Sequence, residues 1–251
     1  MSEILTSREN SILTITLNRP EKRNALNDAL INALKDALRE AGKDAELRAI
    51  LIEGAGKDFC SGADLSALQK ISESDVMENL TDAENMLELF ALIRKIKIPV
   101  VAAVKGRALA GGCGLATACD LVLAAKSARF GYPEVKIGFV PAMVMAILRR
   151  NLSEKRSFEL ITQGFEFSAE EAEKIGLINR VFDDESFEEE VKNYVSAYEN
   201  VSRSAVILSK KLLYQMDGMT FETALETGAE VNTIARLTED CQRGIAKFLN
   251  K

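Results

Sequence analysis

The 251-residue chain contains no histidine and no tryptophan, and only four cysteines and four prolines. Lacking histidine, it can build neither a Ser-His-Asp nor a Cys-His nucleophile, nor a histidine-ligated metal centre. Acid–base chemistry falls to carboxylates, lysine, tyrosine, cysteine or water. Cys60, Cys113, Cys119 and Cys241 include no C-x-x-C pair, so zinc and dithiol redox motifs are unsupported and no metal site is expected. Their apolar or helical surroundings predict buried thiols in a reducing compartment, and the cytoplasm is the expected location. Positive charge is also short: the net charge is −6, and no basic face suits nucleic acid. No basic stretch followed by an apolar run opens the chain, so no signal peptide is expected. The longest uncharged run in the most apolar region, Ala108 to Cys119, is twelve residues. That is too short to span a bilayer.

What is present is ordinary for a globular chain, 47% hydrophobic and 28% charged, and long enough to bury a core unaided. Ser11–Leu17 alternates and predicts a strand; Ala49–Glu53, Pro99–Val104 and Leu121–Ala125 are short apolar runs that predict buried ones. Asn24 or Asn27 can cap a helix whose apolar face is Ala29, Leu30, Ala33, Leu34, Ala37 and Leu38. Ser66–Arg94 has a helical pattern with a polar stretch near Ser72–Asp82, and Leu115–Cys119 looks helical. Ala128–Gly131 and Glu134–Ile137 read as extended pieces. Helices follow over 142–150, 153–164, 168–175, 183–198, 202–216, 220–237 and 240–250, with a Ser168–Glu171 capping box. The class is α/β with a helical tail. Three strand–loop units, 49–65, 100–114 and 121–134, share a loose shape that suits a coil of similar turns.

Two loops carry the chemistry: Cys60-Ser61-Gly62-Ala63-Asp64-Leu65 and Ala108-Leu109-Ala110-Gly111-Gly112-Cys113-Gly114. Each follows a predicted strand and opens onto a predicted helix. Small residues let a ligand approach the backbone, and a helix N-terminus presents unpaired N–H groups. Converging, two such loops would make an oxyanion hole; packed alone, they would be close strand–helix junctions. Neither G-x-G-x-x-G nor a G-K-[ST] ending is present, which disfavours a nucleotide-phosphate loop.

Five segments in order, LNRPEKRNALN (17–27), KDFCSGADL (57–65), KIPVVAAVKGRALAGGCGLATACDLVLAA (97–125), ARFGYPEVKIGFVP (128–141) and SAEEAEKIGLINRV (168–181), resemble the crotonase (enoyl-CoA hydratase/isomerase) superfamily along nearly the whole chain. The resemblance implies a coil of repeated ββα units over residues 1–200 and an α-helical oligomerisation region over 201–251, assembling homotrimers or hexamers. It implies an acyl-CoA thioester substrate, coenzyme A being part of the substrate rather than a resident cofactor, and the amides of Ala63 and Gly111 as donors to the thioester oxygen. Lys22, Arg23 and Ala25 match the loop that meets the CoA nucleotide and pantetheine; Lys22 and Arg23 are also the best early cations for a polyanion. Ser61, Asp64 and Leu65 match residues around the adenine, and Phe248 and Lys251 match contacts from a neighbouring subunit. The chain departs from the typical two-glutamate hydratase: the first acid position is Gly114 and the second is Glu134. In this respect and in the run after Glu134 it looks like methylglutaconyl-CoA hydratases. A hydratase with Glu134 as acid/base, a Δ3-Δ2-enoyl-CoA isomerase using the same residue, and a silent acyl-CoA binder all remain open. Asp75, Glu78 and Glu84 are candidate second carboxylates.

Overall fold

The computed structural model describes residues 2–250, the side chain of Leu65 excepted. The chain opens with a hairpin, β1 (Ile4–Glu9) antiparallel to β2 (Ile12–Leu17), closed by Asn10 in the left-handed region. A short 3₁₀ turn, Pro20–Lys22, leads to α1 (Asp28–Lys43), whose first turn is capped by the Asn27 side chain on Leu30 N–H. Then come β3 (Ala49–Gly54), α2 (Leu65–Glu73), α3 (Val76–Lys95), β4 (Val100–Val104), β5 (Arg107–Leu109), α4 (Gly111–Ala118), β6 (Leu121–Ala125) and β7 (Arg129–Gly131). A 3₁₀ turn over Pro133–Ile137 precedes α5 (Ala142–Asn151), α6 (Glu154–Gln163), β8 (Glu166–Ser168), α7 (Ala169–Lys174), β9 (Arg180–Phe182) and α8 (Phe187–Ser196). The tail is α9 (Arg203–Gln215), α10 (Phe221–Arg236) and α11 (Glu239–Leu249).

Two sheets organise these elements. The larger has the order β1-β2-β3-β4-β6-β9, parallel from β2 onward; the smaller is β5-β7-β8. Each middle turn of the chain passes from a strand of the large sheet to the small one and then to a helix: β4–β5–α4, and β6–β7–3₁₀ turn–α5. The segment after β3 does likewise, since Cys60 pairs in parallel with Ala108 of β5 before α2 begins. The expected coil of repeated ββα units is therefore present.

The centre of the large sheet, β3, β4 and β6, is buried on both faces, which explains why β4 (VVAAV) has no polar side. One face packs Ile50, Ile52 and Val100 against Leu30, Leu34 and Leu38 of α1 and Leu89 and Ile93 of α3. The other packs Leu51, Val101 and Leu123 against Phe187, Val191 and Val195 of α8. Each such side chain stabilises the fold by roughly 1.5–3 kcal/mol relative to exposure.

The helices α9, α10 and α11 contain no buried residue. They meet the core through Ile207 of α9 and through polar contacts. Lys210 Nζ of α9 donates to Asp120 Oδ2 at 2.6 Å and to the carbonyls of Ile98 and Ile93 at 3.0 and 3.2 Å. Asp120 also accepts Val100 N–H at 2.7 Å and the Tyr214 hydroxyl. Burial pulls the Lys210 pKa down, and Asp120 opposes that pull.

Several elements differ from the sequence expectation. Glu134–Ile137 is not extended; Pro133, with its fixed φ, starts a 3₁₀ turn that Gly138 closes at φ +82°. The α4 helix starts at Gly111, not at 115, because packing overrides the poor helix propensity of glycine. The Ser66–Arg94 pattern splits at Ser74–Asp75 into two helices.

Candidate active site

The first loop is held between two neighbours. On one side Cys60 N–H donates to Arg107 O and Leu109 N–H to Cys60 O, both at 3.0 Å. On the other, Leu26 N–H donates to Gly62 O at 2.7 Å, Asp64 N–H to Leu26 O at 2.9 Å and Ser61 N–H to Arg23 O at 3.1 Å. The amide of Ala63, between these paired ones, has no acceptor among the described residues, and Ala63 is exposed. Gly111 is the first residue of α4, so its N–H has no partner one turn back, and no other acceptor among the described residues takes it.

These two free amides are carried on abutting backbone. A β-carbon built on Gly62 would be 3.6 Å from Gly111 N and 2.8 Å from the Ala110 methyl. Gly62, at φ +97°, both adopts a conformation other residues avoid and leaves that space clear. Ala110 is itself unusual: it precedes α4 at φ +50°, ψ −129°, a backbone state favoured by glycine.

Glu134 stands in the 3₁₀ turn after β7. Its carboxylate is half-buried, and Oε2 is shielded from solvent with no hydrogen-bond partner among the described residues. Burial raises its pKa, offset only in part by its own backbone N–H. Its charge in turn raises the pKa values of the Cys113 thiol and the Tyr132 hydroxyl, though burial is the larger cause at both; the thiol reaches about 12. Glu134 therefore lies within electrostatic reach of the first turn of α4. An isolated, desolvated carboxylate of raised pKa is suited to taking up and returning a proton.

No second acid accompanies it from the positions considered. Asp75 and Glu78 form a capping box at the start of α3, each side chain bonded to the other's backbone N–H. Glu84 lines a hollow with Asp28 and Asp82 between α1 and α3.

The other expected contacts divide into those left open to a ligand and those used by the fold. Lys22 and Arg23 are exposed on a turn bent by consecutive left-handed residues, Arg23 (φ +51°) and Asn24 (φ +53°). Asn24, fully buried, fixes that turn: its side chain accepts Arg19 N–H and donates to the carbonyls of Ala55 and Asp58 at 2.9 and 2.8 Å. Ala25 is buried and its carbonyl accepts the Arg19 guanidinium. Ser61 is partly buried beside Arg23. Asp64 is buried; its carboxylate pairs with Arg19 at 2.6 Å and caps α2 at Ser66 N–H. Burial works to raise its pKa, but the bonds from Ser66 and Arg19 outweigh it and hold the group below its ordinary value. The Asp64 side chain is thus committed to the fold, leaving its backbone for any ligand. Leu65 opens α2. Phe248 is four-fifths exposed on α11, packed with α9 and α10 rather than on the elements that hold the loops. Lys251 lies outside the described residues. Arg19 and Asn24 organise this region; both lie in the LNRPEKRNALN segment, but sequence reasoning offered Asn24 only as a helix cap and gave Arg19 no role.

The family described as enoyl-CoA hydratase/isomerase matches residues 7–251. The 2,3-dehydroadipyl-CoA hydratase of Escherichia coli (strain K12) is 34% identical over 252 residues, covering 100% of this chain and 97% of that protein. An enoyl-CoA hydratase structure from Mycobacterium smegmatis superposes with a TM-score of 0.95 at 29% identity, covering 100% of this chain and 97% of the other. One from Bacillus anthracis does so at 0.93 and 27%, covering 99% and 96%.

Proposed function

Since the chain belongs to the enoyl-CoA hydratase/isomerase family, we propose that it adds water to a 2-enoyl-CoA thioester, with Glu134 as its single acid/base and the Ala63 and Gly111 amides as an oxyanion hole. The observation that carries this is the occurrence together of two acceptor-free amides on touching loops and one carboxylate, Glu134, whose shielded Oε2 has no partner among the described residues.

In this mechanism the thioester oxygen accepts both amides. Glu134 takes a proton from water as the hydroxyl adds to C3, and the C2=C3 electron pair moves toward the carbonyl as an enolate. The proton held by Glu134 then passes to C2, so one carboxylate returns to its starting state and one water is added. The negative charge that develops on oxygen meets preorganised donors; losing one costs about 3–4 kcal/mol of transition-state stabilisation. Coenzyme A arrives as part of the substrate, met by Lys22, Arg23, Ala25, Ser61 and the backbones of Asp64 and Leu65. No resident cofactor is required.

The lone carboxylate also favours a second reading. A Δ3-Δ2-enoyl-CoA isomerase would use Glu134 to remove a proton from C2 of a 3-enoyl-CoA and deliver it to C4. A panel of enoyl-CoAs separates the two: hydration bleaches the conjugated enoyl absorbance, whereas isomerisation creates it from a 3-enoyl substrate. Binding without turnover on the whole panel would reject both in favour of a silent binder.

Residues 201–251 serve as the assembly region on this proposal. Leu213, Phe221, Leu225, Leu237 and Phe248 leave an apolar surface exposed, suited to a homotrimer or hexamer in which Phe248 reaches a neighbour's CoA site. A monomer by light scattering would refute this.

A further inference from the structure

Beside α4 the available space closes within one helical turn. Gly111 and Gly114 share a face of α4, and Met86 and Phe90 share a face of α3. A β-carbon on Gly111 would find Leu26 Cδ1 at 3.3 Å, a slight crowding, and Met86 Cε at 3.9 Å, an ordinary contact. A β-carbon on Gly114 would be 2.8 Å from Val144 Cγ2 and 3.1 Å from Phe90 Cζ. The narrowing takes about 4.5 Å along the helix axis. Phe90 and Val144 are buried within the main core, so neither can swing aside freely. No guanidinium of these helices is free for a ligand's anionic end: Arg94 and Arg150 pair with Asp217, and Arg149 with Glu154.

Building on the thioester reading above, we propose that Phe90 and Val144 determine acyl specificity, forming an apolar stop that admits a short, uncharged acyl group. With the thioester oxygen fixed at Gly111, a chain running along α4 meets this stop within a few carbons. A terminal carboxylate there would be desolvated against hydrocarbon with no donor to satisfy it. The same two side chains fill the volume that an acid at position 114 would need. Single-acid chemistry and a short substrate thus share one structural cause.

Calorimetric titration of the purified full chain with butyryl-, decanoyl- and adipyl-CoA tests this, alongside turnover of the matching 2-enoyl-CoAs. The parent binds butyryl-CoA at least ~10-fold tighter than decanoyl- or adipyl-CoA, in line with the discrimination of apolar pockets. Val144→Ala shifts the butyryl-to-decanoyl ratio at least ~10-fold toward the longer chain. Phe90→Leu does the same with less volume removed, and decides the matter if Val144→Ala does not fold cooperatively. A parent that binds the three ligands equally, or an unchanged ratio in the folded variants, overturns the proposal. If no enoyl-CoA turns over while the binding ratios behave as stated, the hydratase reading fails and the acyl stop stands.

Discussion

Replacing Gly112 by alanine should cripple the site without removing any group assigned to it. Gly112 is the second residue of α4 and has no positive φ, so alanine fits its backbone and by propensity favours the helix by about 1 kcal/mol. The obstacle is steric. A β-carbon there would lie 2.2 Å from Cys60 O, 2.7 Å from its carbonyl carbon and 2.8 Å from its Cβ. Cys60 is fixed by its pairing with β5, so relief requires the start of α4 and the first loop to part by about 1 Å. Gly111 rides on one of those pieces and Ala63 on the other. Misplacement of that size costs about 100-fold in rate, or about 2.7 kcal/mol of transition-state stabilisation. Steady-state kinetics on the best enoyl-CoA should show the loss mainly in kcat, and thermal unfolding should show about 1–3 kcal/mol of overpacking cost. Gly111→Ala is the internal control. It alters a residue of the proposed oxyanion hole itself, yet its methyl would meet only Leu26 Cδ1 at 3.3 Å and Met86 Cε at 3.9 Å, far milder crowding than at Gly112, so kcat stays within about tenfold of the parent. Parental kcat in Gly112→Ala, or equal damage in Gly111→Ala, would refute the idea that loop spacing controls the reaction.

Other perturbations follow from the same geometry. Glu134→Gln should lower kcat about 10²–10⁴-fold and leave affinity for CoA nearly unchanged. In the parent, kcat/KM should rise with pH along a limb above the ordinary glutamate range near 4.3, because burial raises the pKa of a base that must be ionised; a limb that survives in the variant would assign it to another group. Asp64→Asn breaks a buried pair with Arg19 and should cost about 3 kcal/mol in urea unfolding at neutral pH. The Asp64 pKa is lowered on folding, so its contribution is present above the unfolded value and lost as pH falls through the folded one. The gap between parent and variant should therefore close in acid, and a gap constant with pH would contradict the charge pairing. Lys210→Met strands the buried Asp120 carboxylate and should destabilise by about 3–5 kcal/mol, with the 203–249 helices becoming the first sites of limited proteolysis; adding Asp120→Asn should recover part of the loss.

The central strands were legible because β3, β4 and β6 are continuous apolar runs, and a strand buried on both faces has no other way to read. The caps Asn27 and Ser168 were legible because capping is local. β1 was not: five of its six residues are exposed, so no alternation marks it. β5, β8 and β9 are three residues each, too short to establish a period. In the proposed site, the two glycine loops stand out by their small-residue pattern, and Glu134 by family likeness. The Arg19–Asp64 pair joins residues 45 positions apart, and Phe90 of α3 and Val144 of α5 converge on Gly114 of α4. Such contacts are made by the coil closing on itself, and no local spacing encodes them. Asp75 and Glu78 looked free as acids, but the sequence D-x-x-E at a helix start is also the signature of a capping box, and that role prevailed.

Ala110 gives the molecule an awkward vulnerability to improvement. Its backbone lies where a side chain costs about 1–3 kcal/mol, so any screen for heat resistance would be drawn to glycine at this position. Yet its methyl is the shim wedged over Gly62, and a backbone relaxed at 110 would let the two chain segments settle against each other. Hardiness gained at that one residue would come out of turnover, the usual conflict between a robust scaffold and a taut catalyst, here localised to a single carbon atom.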